Sequence, residues 1–338
     1  MILCLDVGNT NILGGIYKGD MLIENRFSGL AQVDSSSLGV PLSSDESSLR
    51  SVLDIHDSSE RGSQQRGQNC PEQILNSAAG PQGSKQEFAV KPKCEEYIIM
   101  LRFRYDTKQN STSDQVGIFL RSVLRENSIN CNEIKQIGIC SVVPSIDYSL
   151  RAACKKYFQI DPFFLQAGIK TGLKIQVKNP LEVGADLIAT AIAATNCYPR
   201  KNIIIVDLGT ATTFSAVTKE KCYLSGAIIP GIKIAMQSLQ SNTAKLPSVE
   251  IIAPEQAIGR TNIANIQSGL YFSHLGAIRE ITTRFITEAF QDERPIIIGT
   301  GGFAYLFQET KIFDVILPDL VLDGIKLALY YNSARVHS

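Results

Sequence analysis

Asp6-Val7-Gly8-Asn9-Thr10-Asn11 and Asp207-Leu208-Gly209-Thr210-Ala211-Thr212-Thr213 are the two stretches whose reading decides the fold. Each closes an apolar strand pattern, Ile2–Asp6 and Asn202–Leu208, with Asp-x-Gly. Glycine lets a backbone approach a phosphate closely. Asn and Thr offer donors to its oxygens, and a carboxylate at a strand end can hold a divalent cation directly or through water. Taken alone, the first stretch is equally an Asx-rich hairpin turn. Two such turns, one in each half of the chain, can face each other across a cleft and grip a triphosphate from both sides. A third glycine turn, Gly299-Thr300-Gly301-Gly302, follows the buried-strand pattern Pro295–Ile298 and offers bare backbone on which an adenine can lie. All three in this order, each behind an apolar strand, imply a nucleotide cleft between two α/β lobes.

Working outward, residues 1–27 read as a meander of strands Ile2–Asp6, Asn11–Tyr17 and Met21–Phe27, with a turn at Lys18-Gly19-Asp20. From about Gly29 to Lys93 the composition shifts to Ser, Gln, Gly and Asp, and Arg61–Gln68 holds no apolar side chain. Such a segment buries too little apolar surface to offset its ordering entropy. A low-complexity, disordered insertion over residues 29–98 is therefore expected, after the third strand of the first lobe. Order resumes near Tyr97 with a helix Asp114–Arg125 behind an N-cap at Ser113. A strand Ile137–Val143 stopped by Pro144, a helix around Tyr148–Phe158 and a strand Pro162–Leu165 follow. Beyond these come a helix Leu181–Asn196, strands Asn202–Leu208, Thr212–Thr218 and Tyr223–Ile229, a long helical stretch Ala264–Gln291, and a closing helix Asp323–Tyr331. The pattern predicts an N-terminal lobe of residues 1–28 and 99–180 and a C-terminal lobe of residues 181–338.

With 338 residues and 44% apolar content the chain exceeds the size at which one core usually divides. Lys+Arg and Asp+Glu balance at 33 each, so no basic field draws nucleic acid or anionic lipid. No apolar run approaches the roughly 20 residues of a membrane-spanning helix. Met1–Leu5 is cut by Asp6 and has no basic residues ahead of it, so it reads as a strand and the protein as cytoplasmic. The eight cysteines form no C-x-x-C pair and lack zinc spacing, which leaves free thiols as the reading.

Glu182-Val183-Gly184-Ala185-Asp186 stands at the start of the helix that precedes the second phosphate turn. A carboxylate in a first helical turn feels the positive end of the dipole and is normally ionised, which suits a base that takes a proton from an attacking hydroxyl. By itself it is equally a helix-start acid.

Six stretches together resemble the successive motifs of type III pantothenate kinases, members of the actin and sugar-kinase ATPase superfamily. They are Asp6–Asn11, Asn179-Pro180-Leu181-Glu182-Val183-Gly184-Ala185-Asp186, Asp207–Thr213, Gly226-Ala227-Ile228-Ile229-Pro230-Gly231-Ile232-Lys233, Ala244-Lys245-Leu246-Pro247 and Gln267-Ser268-Gly269. Order and spacing match over the whole chain once residues 29–98 are set aside. The resemblance implies two RNase H-like lobes around a central ATP cleft and a homodimer across the second lobe. It also implies ATP-dependent phosphorylation of pantothenate to 4′-phosphopantothenate, the first step towards coenzyme A. Asp6, acting on Mg²⁺ through the phosphates, would work with Gly8, Asn9, Thr10 and Asn11 on the nucleotide. Gly209, Thr210, Thr212, Thr213, Gly301 and Gly302 would complete the ATP site, and Asp207 would hold a monovalent cation, K⁺ or NH₄⁺. Asp186 would be the general base, in an acceptor pocket that includes Gly184, Ala185, Leu187, Val177 and Asn262.

Three positions depart from the family pattern. Leu187 stands where the family has Arg, Val177 where it usually has a substrate-facing Tyr, and Gly259-Arg260-Thr261-Asn262 where it has Gly-x-Asn-Thr. All three fall on the acceptor side, so another small hydroxylated acceptor, or a non-catalytic regulator that keeps ATP binding, is the alternative function.

Overall fold

β1 (Ile2–Val7) is apolar at every position except Asp6, and all but Asp6 are buried, as befits a central strand. In the computed structural model, which describes residues 1–18, 99–108 and 110–333, β1 pairs antiparallel with β2 (Asn11–Tyr17), and β2 with β3 (Ile99–Asp106). On its other side β1 runs parallel to β4 (Gln136–Ser141), and β4 to β5 (Phe163–Leu165). The sheet order is β3-β2-β1-β4-β5. In the second sheet β6 (Lys174–Ile175) flanks β9 (Cys222–Pro230), which continues through β8 (Ala211–Val217) and β7 (Ile203–Leu208) to β10 (Ile296–Thr300) and β11 (Val315–Ile316). Apart from β6, the second sheet repeats the order and strand directions of the first. The described residues thus carry the RNase H-like strand order twice, once in each lobe.

The first lobe corrects one expectation. The strand beside β2 is Ile99–Asp106, and Tyr17 pairs with Ile99, so the intervening residues enter between the second and third strands instead of after the third. Strand Met21–Phe27 and the disorder expected over 29–98 lie outside the described residues. A legible signal was present in the alternation of Ile99, Leu101, Phe103 and Tyr105, half-buried, with Met100, Arg102, Arg104 and Asp106, exposed.

The parallel partners require crossovers, and helices supply them. α1 (Ser113–Glu126) is capped by Thr112, not Ser113. Thr112 Oγ1 accepts from Gln115 N–H at 3.2 Å, and Gln115 Oε1 accepts from Thr112 N–H at 2.9 Å. α2 (Pro144–Phe158) begins at the proline that was expected only to end a strand, because a first helical residue needs no N–H. Both helices cover one face of the first sheet, around Leu3, Leu5, Ile137, Ile139 and Leu150. α3 (Ala185–Cys197) follows a short 3-10 turn, Pro180–Glu182, which shortens the helix expected from Leu181. α4 (Ile232–Asn242) and α5 (Asn262–Phe290) cover the outer face of the second sheet.

α6 (Leu320–Ser333) packs against α3, and the pair fills the space between the sheets. A Cβ on Gly324 would collide with the backbone of Ala189, so glycine sets how closely the two helices meet. This core joins Ile2, Cys4 and Tyr17 of the first sheet to Ile203, Ile205 and Tyr223 of the second. The sheets do not divide at residue 180: β6 belongs to the second, and α6, last in the chain, lies against β1 and β4. Cys4, Cys131, Cys140, Cys154 and Cys222 are free thiols. Among the described residues no helix is long and apolar enough to cross a membrane.

Candidate active site

Asp6 and Asp207 occupy equivalent places in the two sheets. Asp6 stands near the end of β1, opposite Leu13 of β2 and Cys140 of β4. Asp207 stands near the end of β7, opposite Thr213 of β8 and Thr300 of β10. Asp186 enters between them from the first turn of α3, whose N-cap is Gly184.

The three carboxylates sense one another. Burial pushes the Asp6 carboxyl up to about 8, helped by the charges of Asp186 and Asp207, while a hydrogen bond with the Cys140 thiol opposes the rise. Asp207 rises to about 7 through burial and then Asp186. Asp186 is raised by burial, against the backbone N–H of Leu187, which donates to its Oδ1 at 2.8 Å.

The two glycine turns meet across the cleft. Gly8 N–H donates to Asn11 O, three residues on, at 3.0 Å, and Gly209 N–H to Ala211 O, two residues on, at 3.1 Å, so both turns close through the glycine N–H and the second is one residue shorter. Thr10 Oγ1 and Thr210 Oγ1 are 3.1 Å apart, a hydrogen bond between lobes. The third turn folds onto the second. Gly301 has φ +84°, and a Cβ there would run into Asp207 Oδ1 and the Leu208 backbone. Phe303 N–H then donates to Leu208 O at 3.2 Å. Asn9, Thr10, Asn11, Thr210 and Gly302 are exposed, and Gly8, Gly209, Thr213 and Gly301 half-buried.

Thr212 is a correction to the expected phosphate contacts. It pairs opposite Leu208 and Ile229, on the face of the sheet turned from Asp207, and is 1% exposed with its hydroxyl unpartnered. Strand alternation puts Thr213, not Thr212, on the cleft side.

Of the residues expected in the acceptor pocket, Leu187, Val177 and Ala185 are partly buried and, like Val183, pack against the core between the sheets. Asn262 is not part of it. As the first residue of α5 it lies across the second sheet from α3, where it lines a cavity of about 640 Å³ with Pro230, Ile234, Leu239 and Leu270.

A family model described as type III pantothenate kinase matches residues 92–284. The type III pantothenate kinase of Legionella pneumophila (strain Corby) is 57% identical over 236 residues, covering 70% of this chain and 92% of the relative. That of Elusimicrobium minutum (strain Pei191) is 47% identical over 234 residues, 69% of this chain and 91% of the relative. The chain belongs to the type III pantothenate kinase family.

In this pantothenate kinase family member one residue of the cleft escaped the sequence reading. Thr107, just past β3, donates its hydroxyl to Gly8 O at 2.7 Å and its N–H to Thr10 O at 3.0 Å, so it braces the first turn. Nothing in its local sequence marks it, because the contact exists only once β3 lies beside β2. No group of three or more His, Cys, Asp or Glu among the described residues is arranged to hold a metal by itself. The donors present are oxygens, and one carboxylate plus substrate phosphates and water is how Mg²⁺ is usually held. Family membership carries ATP and a divalent metal with it.

Proposed function

We propose that this chain transfers the γ-phosphoryl group of ATP to the hydroxyl of pantothenate, giving 4′-phosphopantothenate, with Asp186 as the general base. The observation that carries this reading is the meeting of the two phosphate turns at Thr10 and Thr210, with Asp6, Asp207 and Asp186 in one electrostatic neighbourhood.

In this reading Gly8, Asn9, Thr10, Asn11, Gly209, Thr210 and Thr213 hold the phosphates, and the backbone at Gly301 and Gly302 lies under the adenine. Asp6 takes Mg²⁺ together with the phosphates, and the cation neutralises charge on the transferring group. Asp207, half-buried near the end of β7, holds a monovalent cation, K⁺ or NH₄⁺. Asp186 accepts the proton of the attacking hydroxyl. Its burial makes it a better base than an exposed carboxylate, and the Leu187 N–H keeps it oriented.

The departures on the acceptor side suit the same substrate. The pantothenate hydroxyl sits next to a carbon bearing two methyl groups, and Leu187 with Val177 gives those methyls an apolar wall. Asn262 reaches an acceptor pocket only from a second copy. Exposed Ile234, Leu239, Ile263 and Phe272 on α4 and α5 supply apolar surface for a homodimer. The cytoplasm is the compartment that supplies ATP to such an enzyme.

The test is ADP release by the purified protein with Mg²⁺ and K⁺ or NH₄⁺, with and without pantothenate. Pantothenate-dependent release that falls about 10²–10⁴-fold in Asp186→Asn, with ATP binding retained, is expected. Nucleotide binding without such turnover would sink the proposal and leave a regulatory relative.

A further inference from the structure

Arg102 and Arg104 stand two residues apart on β3 and so project from the same face. Arg104 pairs opposite Leu13, and Leu13 opposite Asp6. Arg104 is therefore on the face of the first sheet that carries Asp6, two strands over, about 10 Å away from backbone to backbone.

The two arginines differ in what they hold. Arg102 is committed to Asp319 through both ends of its guanidinium, with Nε donating to Oδ1 at 2.6 Å and Nη2 to Oδ2. Arg104 is exposed and has no hydrogen bond or ion pair among the described residues. Its Nη1 lies 3.9 Å from where a Cβ of Gly302 would stand. Gly302 follows Gly301, the residue pressed against Asp207, so a guanidinium of the first lobe overhangs the third glycine turn of the second. Arg104, Leu13, Tyr305 and Pro318 line a cavity of about 500 Å³ at this point, a size that accommodates part of a nucleotide.

Charge gives this placement a use. Asp6, Asp186 and Asp207 bring three carboxylates to a cleft that must accept a polyanion, and a divalent cation offsets only part of that repulsion. A guanidinium presents a planar fork that matches two phosphate oxygens at once. We propose that Arg104 is a nucleotide-binding residue: its guanidinium pairs with phosphate oxygens of ATP lying along the Gly301-Gly302 turn, so that the first lobe holds the nucleotide cradled by the second. This rests on the reading of the cleft as an ATP site.

The experiment compares the parent protein with Arg104→Ala and Arg104→Lys. The KM for ATP rises about 10- to 100-fold in Arg104→Ala and less in Arg104→Lys, which keeps the charge but loses the fork. The KM for pantothenate and the melting temperature stay within error of the parent. Inhibition by ADP weakens in parallel with ATP, whereas inhibition by adenosine, which has no phosphate, does not change. A KM for ATP within twofold of the parent, or equal weakening of adenosine, overturns the assignment. Equilibrium dialysis with labelled ATP separates the two readings. If the parent binds ATP but does not phosphorylate pantothenate, the proposed reaction fails, while the affinity of Arg104→Ala still decides Arg104. If the parent binds no ATP, both fail.

Discussion

Asp186 is one carboxylate among three, and its role depends on the other two as much as on itself. Burial raises its pKa above the ordinary 3.8, so the acid limb of a kcat/KM profile should lie above that value and be lost in Asp186→Asn. A limb at or below the ordinary value would speak against Asp186 as the base. Asp6 makes a prediction about stability. Its carboxyl is raised from 3.8 to about 8, so the folded protein binds a proton that the unfolded chain has released. Stability then falls as pH rises between those values, and the full cost is present above about 8. Asp6→Asn, without nucleotide or metal, should stabilise by several kcal/mol at pH 9, seen as a clear rise in Tm, and by almost nothing at pH 4. Equal shifts at the two pH values in thermal melts would refute this.

At the scale of elements, the site is made by where strands stop and what conformation the next residue takes. β7 ends at Leu208 and β10 at Thr300, side by side, and Gly301 turns the chain onto Asp207. Gly301→Ala puts a methyl group against Asp207 and Leu208 in a left-handed backbone, so we expect a loss of about 1–3 kcal/mol and a higher KM for ATP. Gly276, inside α5, has open space where a methyl group would stand, and Gly276→Ala should instead stabilise by about 0.5–1 kcal/mol. Chemical denaturation of the two variants compares strain with helix propensity directly; similar signs would show that the environment of Gly301 is not the constraint described.

At the scale of the molecule, the long segment between β2 and β3 enters where Tyr17 and Ile99 are paired neighbours. Its two ends are therefore already as close as the ends of a hairpin. Replacing residues 19–98 by a short Asn-Gly turn closes the same strand pair, and closure entropy changes by only about 0.6 kcal/mol per doubling of length. The shortened protein should keep its Tm or gain in it and retain kcat/KM within a few-fold, as read by thermal melts and coupled turnover. Loss of folding would mean that those residues contribute to the lobes.

The sequence by itself determined the duplication, the three glycine turns, the acid at the head of α3 and the family, because each is a local pattern: a strand period, a backbone that needs glycine, a helix start. It misread Thr212 and Pro144 by small margins, since strand phase and helix ends shift by a residue or two without changing local preference. It placed the third strand ahead of the long segment, because Met21–Phe27 and Ile99–Asp106 both carry strand character and nothing local says which one β2 selects. Only the tertiary structure decided that pairing, and with it Thr107 under the first turn and Arg104 over the third. Only it brought Asp6, Asp186 and Asp207 together from distant parts of the chain. Their raised pKa values follow from burial and mutual repulsion, which are properties of distance in space that no spacing along the chain encodes.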